Sequence, residues 1–406
     1  MELSQRSSEE TLYSPLFIND WPKISLFSLA DWLNGMAFRD FEFSSSGIPI
    51  IKIAEIKNGI SGQTKFSNKE YNSKYSIKPG DMLFPWSGQP ETSIDVHIWK
   101  DGIGWLNQHI FKVSANKLCN QKFLFYLLKY LKPTFISIAK NKQTIGLGHV
   151  TVSDLKKISV GLPSQNEQQV IAEILSSLDD KIELNRRLNL SLELLGQTFY
   201  KQLFTNNPEK GQWECKFLPE VFDINPTREL KSNESSPYLD IANTPIQGHR
   251  VINWYYRSFT SGTKFINGDT LLARITPCLE NGKTAYVDFL ENGQTGWGST
   301  EFIVFHPKPP FPSEFGYFFA RSKELRDFAI QNMSGTSGRQ RVPTSCFSSF
   351  SISIPPELIL KRFEDQVKDF MILIKDNDIQ SRTLAKLRDT LLPKLISGLV
   401  RVKERD

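Results

Sequence analysis

From Ser164 to Thr205 the chain reads SQNEQQVIAEILSSLDDKIELNRRLNLSLELLGQTFYKQLFT, without proline and with a single glycine. Apolar residues recur at helical spacing: Ile171, Leu175, Leu178 and Ile182, then Leu192, Leu195, Phe199 and Leu203. The spacing predicts one continuous helix over 164–205. At about 1.5 Å per residue it would be roughly 63 Å long, several times the ordinary globular helix, so its apolar seam needs a partner along its whole length.

The same chain supplies that partner. Shifting each seam position by 192 lands on Phe363, Val367, Phe370, Ile374, Leu384, Leu387, Leu391 and Leu395, all apolar, within a second helical stretch from Glu357 towards Val400. The polar interruption repeats too, since Asn185 maps to Asn377 and Asn189 to Ser381. In an antiparallel pair the two midpoints meet. Asn185 would then face Asn377, and a paired amide contact would fix register and orientation at some cost in stability. The alternative is that both side chains reach solvent or a buried water.

The offset extends beyond the helices. Trp21 matches Trp213, Val150 matches Val342 and Pro163 matches Pro355. The turn Pro79-Gly80-Asp81 has its counterpart in Asn267-Gly268-Asp269, displaced by a four-residue difference in loop length. Short β-type runs such as Ile48 to Ile53 and Ile94 to Trp99, broken by turn residues, mark a β-rich domain. A helix expected at Lys122 to Leu131 makes that domain mixed α/β, and Ser313 to Gln331 answers it in the second half. The expected organisation is therefore an N-terminal arm (1–20), a first domain (21–163), a long helix (164–205), a second domain (206–355), and a second long helix with a C-terminal tail (356–406). This is a duplicated unit: two β-rich α/β domains separated by a long antiparallel two-helix coiled coil, with an internal pseudo-two-fold repeat. Such geometry puts the domains at opposite ends of a rod that spans at most about 18 base pairs of duplex. Between landmarks the halves share little, so one scaffold carries different loops and suits two different targets.

Composition narrows the class. The chain has 406 residues, 39% hydrophobic and 23% charged, enough for two or three domains. Charged residues run through both long helices, so neither is a membrane span. The polar, acidic start MELSQRSSEETLYSPLF does not read as a secretory signal, and a cytoplasmic location is expected. Cys119, Cys215, Cys278 and Cys346 are too scattered for a disulfide framework or a zinc site. They read as buried or incidental thiols. A net charge of +5 is compatible with a polyanion partner and decides little alone.

Two loops of the second domain carry the most suggestive chemistry. ARITPCLENGK runs from Ala273 to Lys283, and SGTSGRQRV from Ser334 to Val342. Glycine and small hydroxyl residues, Thr276 and Ser337 among them, allow close backbone approach to phosphate. Arg274, Arg339 and Arg341 suit bidentate pairing with phosphate or with guanine O6/N7, Lys283 adds a cation, and Gln340 and Asn281 suit adenine edges. Ordinary salt bridges in a solvated loop are the competing reading. In the first domain the matching loops are PWSGQPETS (Pro85 to Ser93) and KNKQTIGLGHV (Lys140 to Val150). They offer Trp86, Ser87, Gln89, Lys140, Lys142, Gln143, Thr144 and His149 as candidates, with Trp86 able to stack on a base or to close a core. His97, His109, His249 and His306 show no spacing that marks a metal site or a catalytic triad and read as structural. No phosphate-binding Gly-x-x-x-x-Gly-Lys-Ser/Thr loop, dinucleotide fingerprint or Asn/Asp-Pro-Pro-Phe/Tyr tetrapeptide occurs; Asn225-Pro226 is followed by Thr227.

With these features in place, the chain resembles the specificity subunits of type I restriction-modification systems along nearly its whole length. The strings carrying the resemblance are LPSQNEQQVIAEILSSLDDKIELNRRLN (Leu162 to Asn189), GSTEF (Gly298 to Phe302), SGRQRV (Ser337 to Val342) and LRDTLLPKLISGLVRV (Leu387 to Val402). The resemblance implies a non-catalytic subunit whose two target-recognition domains each bind one half of a bipartite sequence in double-stranded DNA. It implies two methyltransferase (modification) subunits docked on the helices, joined by restriction subunits that act as ATP-dependent translocases and nucleases. S-adenosylmethionine, ATP and magnesium would belong to those partners, and the chain itself would bind no cofactor, metal or membrane. Two rival readings are a coiled-coil protein-interaction scaffold and a DNA-modifying enzyme with an unrecognised centre.

Overall fold

The computed structural model describes residues 20–143, 146–251, 253–336 and 338–403. All but the last residue of the expected N-terminal arm lie outside them. The chain falls into two units, residues 1–182 with 383–406, and residues 183–382. Both long helices form, as Gln165–Tyr200 and Glu357–Ile396. The first is about 54 Å long and the second about 60 Å. Ser164 starts the first by accepting the Glu167 N–H on its side-chain oxygen at 3.1 Å, and a π-helical turn over Lys201–Thr205 ends it. The division between units runs through both helices, whereas the sequence places domain boundaries at their ends.

In the first unit the helix segments run antiparallel. Arg401 pairs with Glu167 at 2.7 and 2.9 Å, and Arg388 with Asp179 at 2.5 Å, so rising numbers on one helix meet falling numbers on the other. Ile171, Ala172 and Leu175 join Leu395 and Ile396 in a core completed by Phe123, Leu127 and Phe135. The second unit repeats the arrangement at the offset of 192. Phe363 and Val367 take the places of Ile171 and Leu175, and Leu203 and Phe204 those of Leu395 and Ile396. The Phe204 and Phe363 rings meet edge-on at 5.0 Å. Burial of each such side chain contributes about 1.5–3 kcal/mol.

The polar interruption of the seam departs from the expected amide pair. Asn185, 1% exposed, donates to the backbone carbonyl of Asn377 at 3.3 Å, to Gln380 Oε1 at 2.9 Å and to Ser381 Oγ at 3.2 Å. The Asn377 side chain instead donates to Asn189 Oδ1 at 2.9 Å. One helical turn separates Asn185 from Asn189, so the two side chains of the first helix straddle Asn377 rather than one of them meeting it head-on. Two seam positions also fail. Leu195 and its counterpart Leu387 are 47% and 46% exposed, because helical drift beyond the asparagines moves the seam onto Leu192, Gly196, Phe199 and Tyr200. Gly196 is needed there, since a Cβ would lie 2.5 Å from the Phe318 ring.

Three sheets recur in each unit with identical order. Lys23–Ser25 pairs with Ser159–Gly161, as Cys215–Phe217 pairs with Ser351–Ser353. A four-stranded antiparallel sheet orders Ala30–Asn34, Ile110–Ala115, Met82–Pro85 and His97–Ile98; its equivalent orders Phe222–Ile224, Phe302–Pro307, Thr270–Ala273 and Thr284–Tyr286. A mixed sheet orders Phe66–Ser67, Ile48–Ile51, Gly104–Leu106 and Ser76–Ile77, matched by Tyr255–Ser258, Ser235–Leu239, Gly296–Gly298 and Thr263–Phe265. The two central strands of this sheet are parallel in both units. Asp81 and Asp269 close matching turns, each accepting at 2.8 Å from the backbone N–H three residues earlier, with Gly80 and Gly268 at φ +94° and +90°.

The helix expected at Lys122 to Leu131 forms as Gln121–Tyr130 and is followed by a second, unanticipated helix, Lys132–Asn141, whereas the stretch Ser313 to Gln331 proves to be two helices, Ser313–Ala320 and Lys323–Gln331. Pro133 explains the second helix of the first pair: in the first turn its missing N–H costs nothing. Of the run Ile94 to Trp99, only His97–Ile98 is strand.

Candidate nucleic-acid interface

In the second unit the strand Thr270–Ala273 leaves its sheet at Arg274, and there the two suggestive loops meet. The Arg274 N–H donates to the Glu301 carbonyl at 2.9 Å, and the Arg274 carbonyl accepts the Val342 N–H at 2.9 Å. The Thr276 N–H donates to the Gln340 carbonyl at 3.0 Å. Ser334 and Arg341 exchange backbone hydrogen bonds at 3.0 and 2.9 Å, which closes the 334–341 loop on itself. Gly335, at φ +125°, permits that closure.

Charge pairing then sorts the candidates. Glu301 accepts from Arg341 Nε at 2.9 Å to each oxygen and from Nη2 at 2.7 Å, and these bonds hold the guanidinium's own proton above its usual range. Lys283 donates to the carbonyls of Ile241 at 2.6 Å and Ala242 at 3.3 Å, so its ammonium is a structural tie. The Thr276 hydroxyl donates to Glu280 at 2.9 Å. Among the described residues, Arg339 is exposed with its guanidinium unpartnered, and half-buried Arg274 has no partner for its Nε. Asn281 and Gln340 are free to bond outward, and Ser337 lies outside the described residues. Arg326, which the sequence reading passed over, packs 3.0 Å from where a Gly282 Cβ would sit. Burial and neighbouring Arg321 ease its proton off, below the usual arginine range. Nothing in the local sequence marks it, because the loop it approaches lies more than forty residues away.

The first unit builds the same junction from different side chains. The Trp86 N–H donates to the His109 carbonyl at 3.1 Å, and the Trp86 carbonyl accepts the Val150 N–H at 2.8 Å. Ser87–Gly88 pairs with Gly148–His149. Trp86, His109 and His149 thus occupy the backbone places of Arg274, Glu301 and Arg341. The Trp86 ring is half-buried, 5.7 Å from His109 and 6.0 Å from His149, with its N–H donating to Asn34 at 2.9 Å, so it both closes the core and borders the junction. His149 Nδ1 lies 2.9 Å from Ser87 Oγ. Burial, then the nearness of His149, lowers the His109 pKa. Lys142 is paired with Asp154, which also caps Thr151, and Lys140 with Glu91 at 2.6 Å. Gln89 and Gln143 are exposed, and Thr144 lies outside the described residues.

Elsewhere His249 is wholly buried, with Nδ1 3.4 Å from Glu193, and Tyr317 donates to Glu193 at 2.6 Å. Burial would raise the Glu193 pKa, but the bonds from His249 and Tyr317 hold it below the usual range. The sequence shows no carboxylate near His249 because Glu193 is 56 residues away. Among the described residues, no group of three or more His, Cys, Asp or Glu is placed to hold a metal, and no helix is long and apolar enough to cross a membrane. The four cysteines are free, and Cys215 is exposed rather than buried.

A family model described as the type I restriction modification DNA specificity domain matches the chain twice, over residues 18–194 and 210–387. The chain belongs to this family. The two matched copies of the specificity domain each contain one full set of the three repeated sheets. The EcoEI specificity subunit of Escherichia coli is 28% identical over 198 residues, 46% of this chain and 32% of its own length. The chain spans about a third of the length of the E. coli relatives it matches. The MjaVIII specificity subunit of Methanocaldococcus jannaschii is 24% identical over 418 residues, covering 95% of this chain and 94% of that protein. A crystal structure of the type I restriction-modification system S subunit from M. genitalium has the same fold. Its TM-score is 0.58 at 16% identity, over 93% of this chain and 97% of that one.

Proposed function

We propose that this chain is the DNA-recognition component of a type I restriction-modification complex, in which each unit reads one half of a bipartite duplex target. The observation that carries the reading is one backbone junction built twice with different side chains, Trp86, His109 and His149 in one unit and Arg274, Glu301 and Arg341 in the other. A scaffold that keeps its backbone and changes its loop chemistry suits two different base sequences. Free cations such as Arg339 would hold phosphates, while fixed side chains read base edges. The helices shared by both units would set the gap between half-sites.

Catalysis would belong to partners. Two methyltransferase subunits using S-adenosylmethionine would dock on the long helices, and restriction subunits using ATP and magnesium would join them. The test is to co-express the chain with its methyltransferase and map methylated adenines across genomic DNA by single-molecule sequencing. A split motif with a fixed gap is expected. An active methyltransferase in a stable complex that leaves no motif would replace this reading with the protein-scaffold one.

A further inference from the structure

We infer that Arg341, held by Glu301, is a base-reading residue that presents a fixed two-donor fork to a guanine in the half-site of the second unit. The inference rests on the DNA-recognition reading above. A guanidinium carries five N–H donors. Glu301 engages Nε and Nη2, and Nη1 donates to the Arg339 carbonyl at 3.4 Å. One hydrogen therefore remains on each terminal nitrogen, along the outer edge of a side chain 43% exposed to solvent. That edge matches the O6 and N7 acceptors of guanine, whereas adenine places a donor where O6 would be.

The carboxylate decides between base and phosphate. Glu301 cancels the charge of Arg341, which weakens the long-range attraction for a phosphate and leaves directional hydrogen bonding intact. Arg339, exposed and unpartnered among the described residues, is the opposite case and suits a phosphate. Within this chain the two units differ at this place. His149 takes the same backbone place in the first unit, and Ser87 Oγ at 2.9 Å fixes its ring in place of a carboxylate. Two domains thus hold two different hydrogen-bonding groups, each oriented by a neighbour, at one scaffold position.

The experiment uses the complex with the methyltransferase and compares Arg341→Lys, Arg341→Ala, Glu301→Gln and Arg339→Ala. The readouts are motif mapping and duplex binding as a function of salt. Arg341→Lys keeps the charge and the pairing with Glu301 but loses the fork. It is expected to melt as the parent does and to lose discrimination at one G·C position of one half-site by roughly tenfold to a hundredfold, with the other half unchanged. Replacing that guanine by 7-deazaguanine in the duplex should weaken the parent and leave Arg341→Ala indifferent. Glu301→Gln should steepen the salt dependence while relaxing the same position. Arg339→Ala should weaken all sequences equally and lower the log–log salt slope by about one. A folded Arg341→Lys complex with an unchanged motif overturns the inference, as does an Arg341→Ala complex that weakens on all sequences with a shallower salt slope. A parent complex that writes no split motif would instead overturn the underlying reading.

Discussion

His97 lies two residues from Asp95, the carboxylate that Lys129 and Lys132 hold at 2.9 and 2.7 Å. Burial, then the charge of Lys129, pushes the His97 pKa down from 6.5 to about 4, against the pull of Asp95. The folded state therefore binds fewer protons here than the unfolded chain between those values, and stability falls as pH drops through that window. Full stability is present above pH 6.5. Thermal melts from pH 7 to pH 4 should show this loss, and His97→Gln should flatten it. A second residue-scale expectation concerns Gly196. Gly196→Ala drives a methyl into the Phe318 ring and should cost about 1–3 kcal/mol in denaturant unfolding, with Phe318→Leu restoring part of it. At this scale the sequence was least legible. It identified Lys142 and Lys283 as cations in suggestive loops, but their roles depend on Asp154 and on the carbonyls of Ile241 and Ala242, partners that only folding brings near. Arg326 went unnoticed for the same reason.

The long helices were the most legible elements, because a 3.6-residue period sustained over 36 and 40 residues has no competing reading. Strands of two to four residues carry too little pattern, so sheet order could not be anticipated, and the helical pair Ser313–Ala320 with Lys323–Gln331 read as one helix. The asparagine cluster illustrates the limit within a legible element: periodicity placed Asn185 on the seam but not its partners. Its Oδ1 is buried without a hydrogen bond, and its two amide hydrogens are shared among three acceptors, so the cost of the orphaned oxygen offsets much of what those contacts contribute. Asn185→Leu is therefore expected to leave the denaturation midpoint unchanged or slightly raised, within about 1 kcal/mol. A loss above about 2 kcal/mol would show that the cluster is a net stabiliser.

At the scale of the whole chain, the offset of 192 between Ile171 and Phe363, or Val150 and Val342, exposed the duplication before any strand was placed. The structure extends it to three sheets in the same order and to matching backbone bonds at Trp86 and Arg274. The differing chemistry there, an indole with two imidazoles against an Arg–Glu–Arg set, was not legible as a correspondence. It depends on His109 and Glu301 entering the junction through their carbonyls. The central claim is that each unit specifies one half-site independently of the other. The most direct test replaces residues 206–355 with the equivalent segment of a family member that writes a different motif, and maps methylated adenines made by the chimeric complex. The account predicts that one half of the motif changes while the other half and the gap persist. A change in both halves, or in neither, would contradict it.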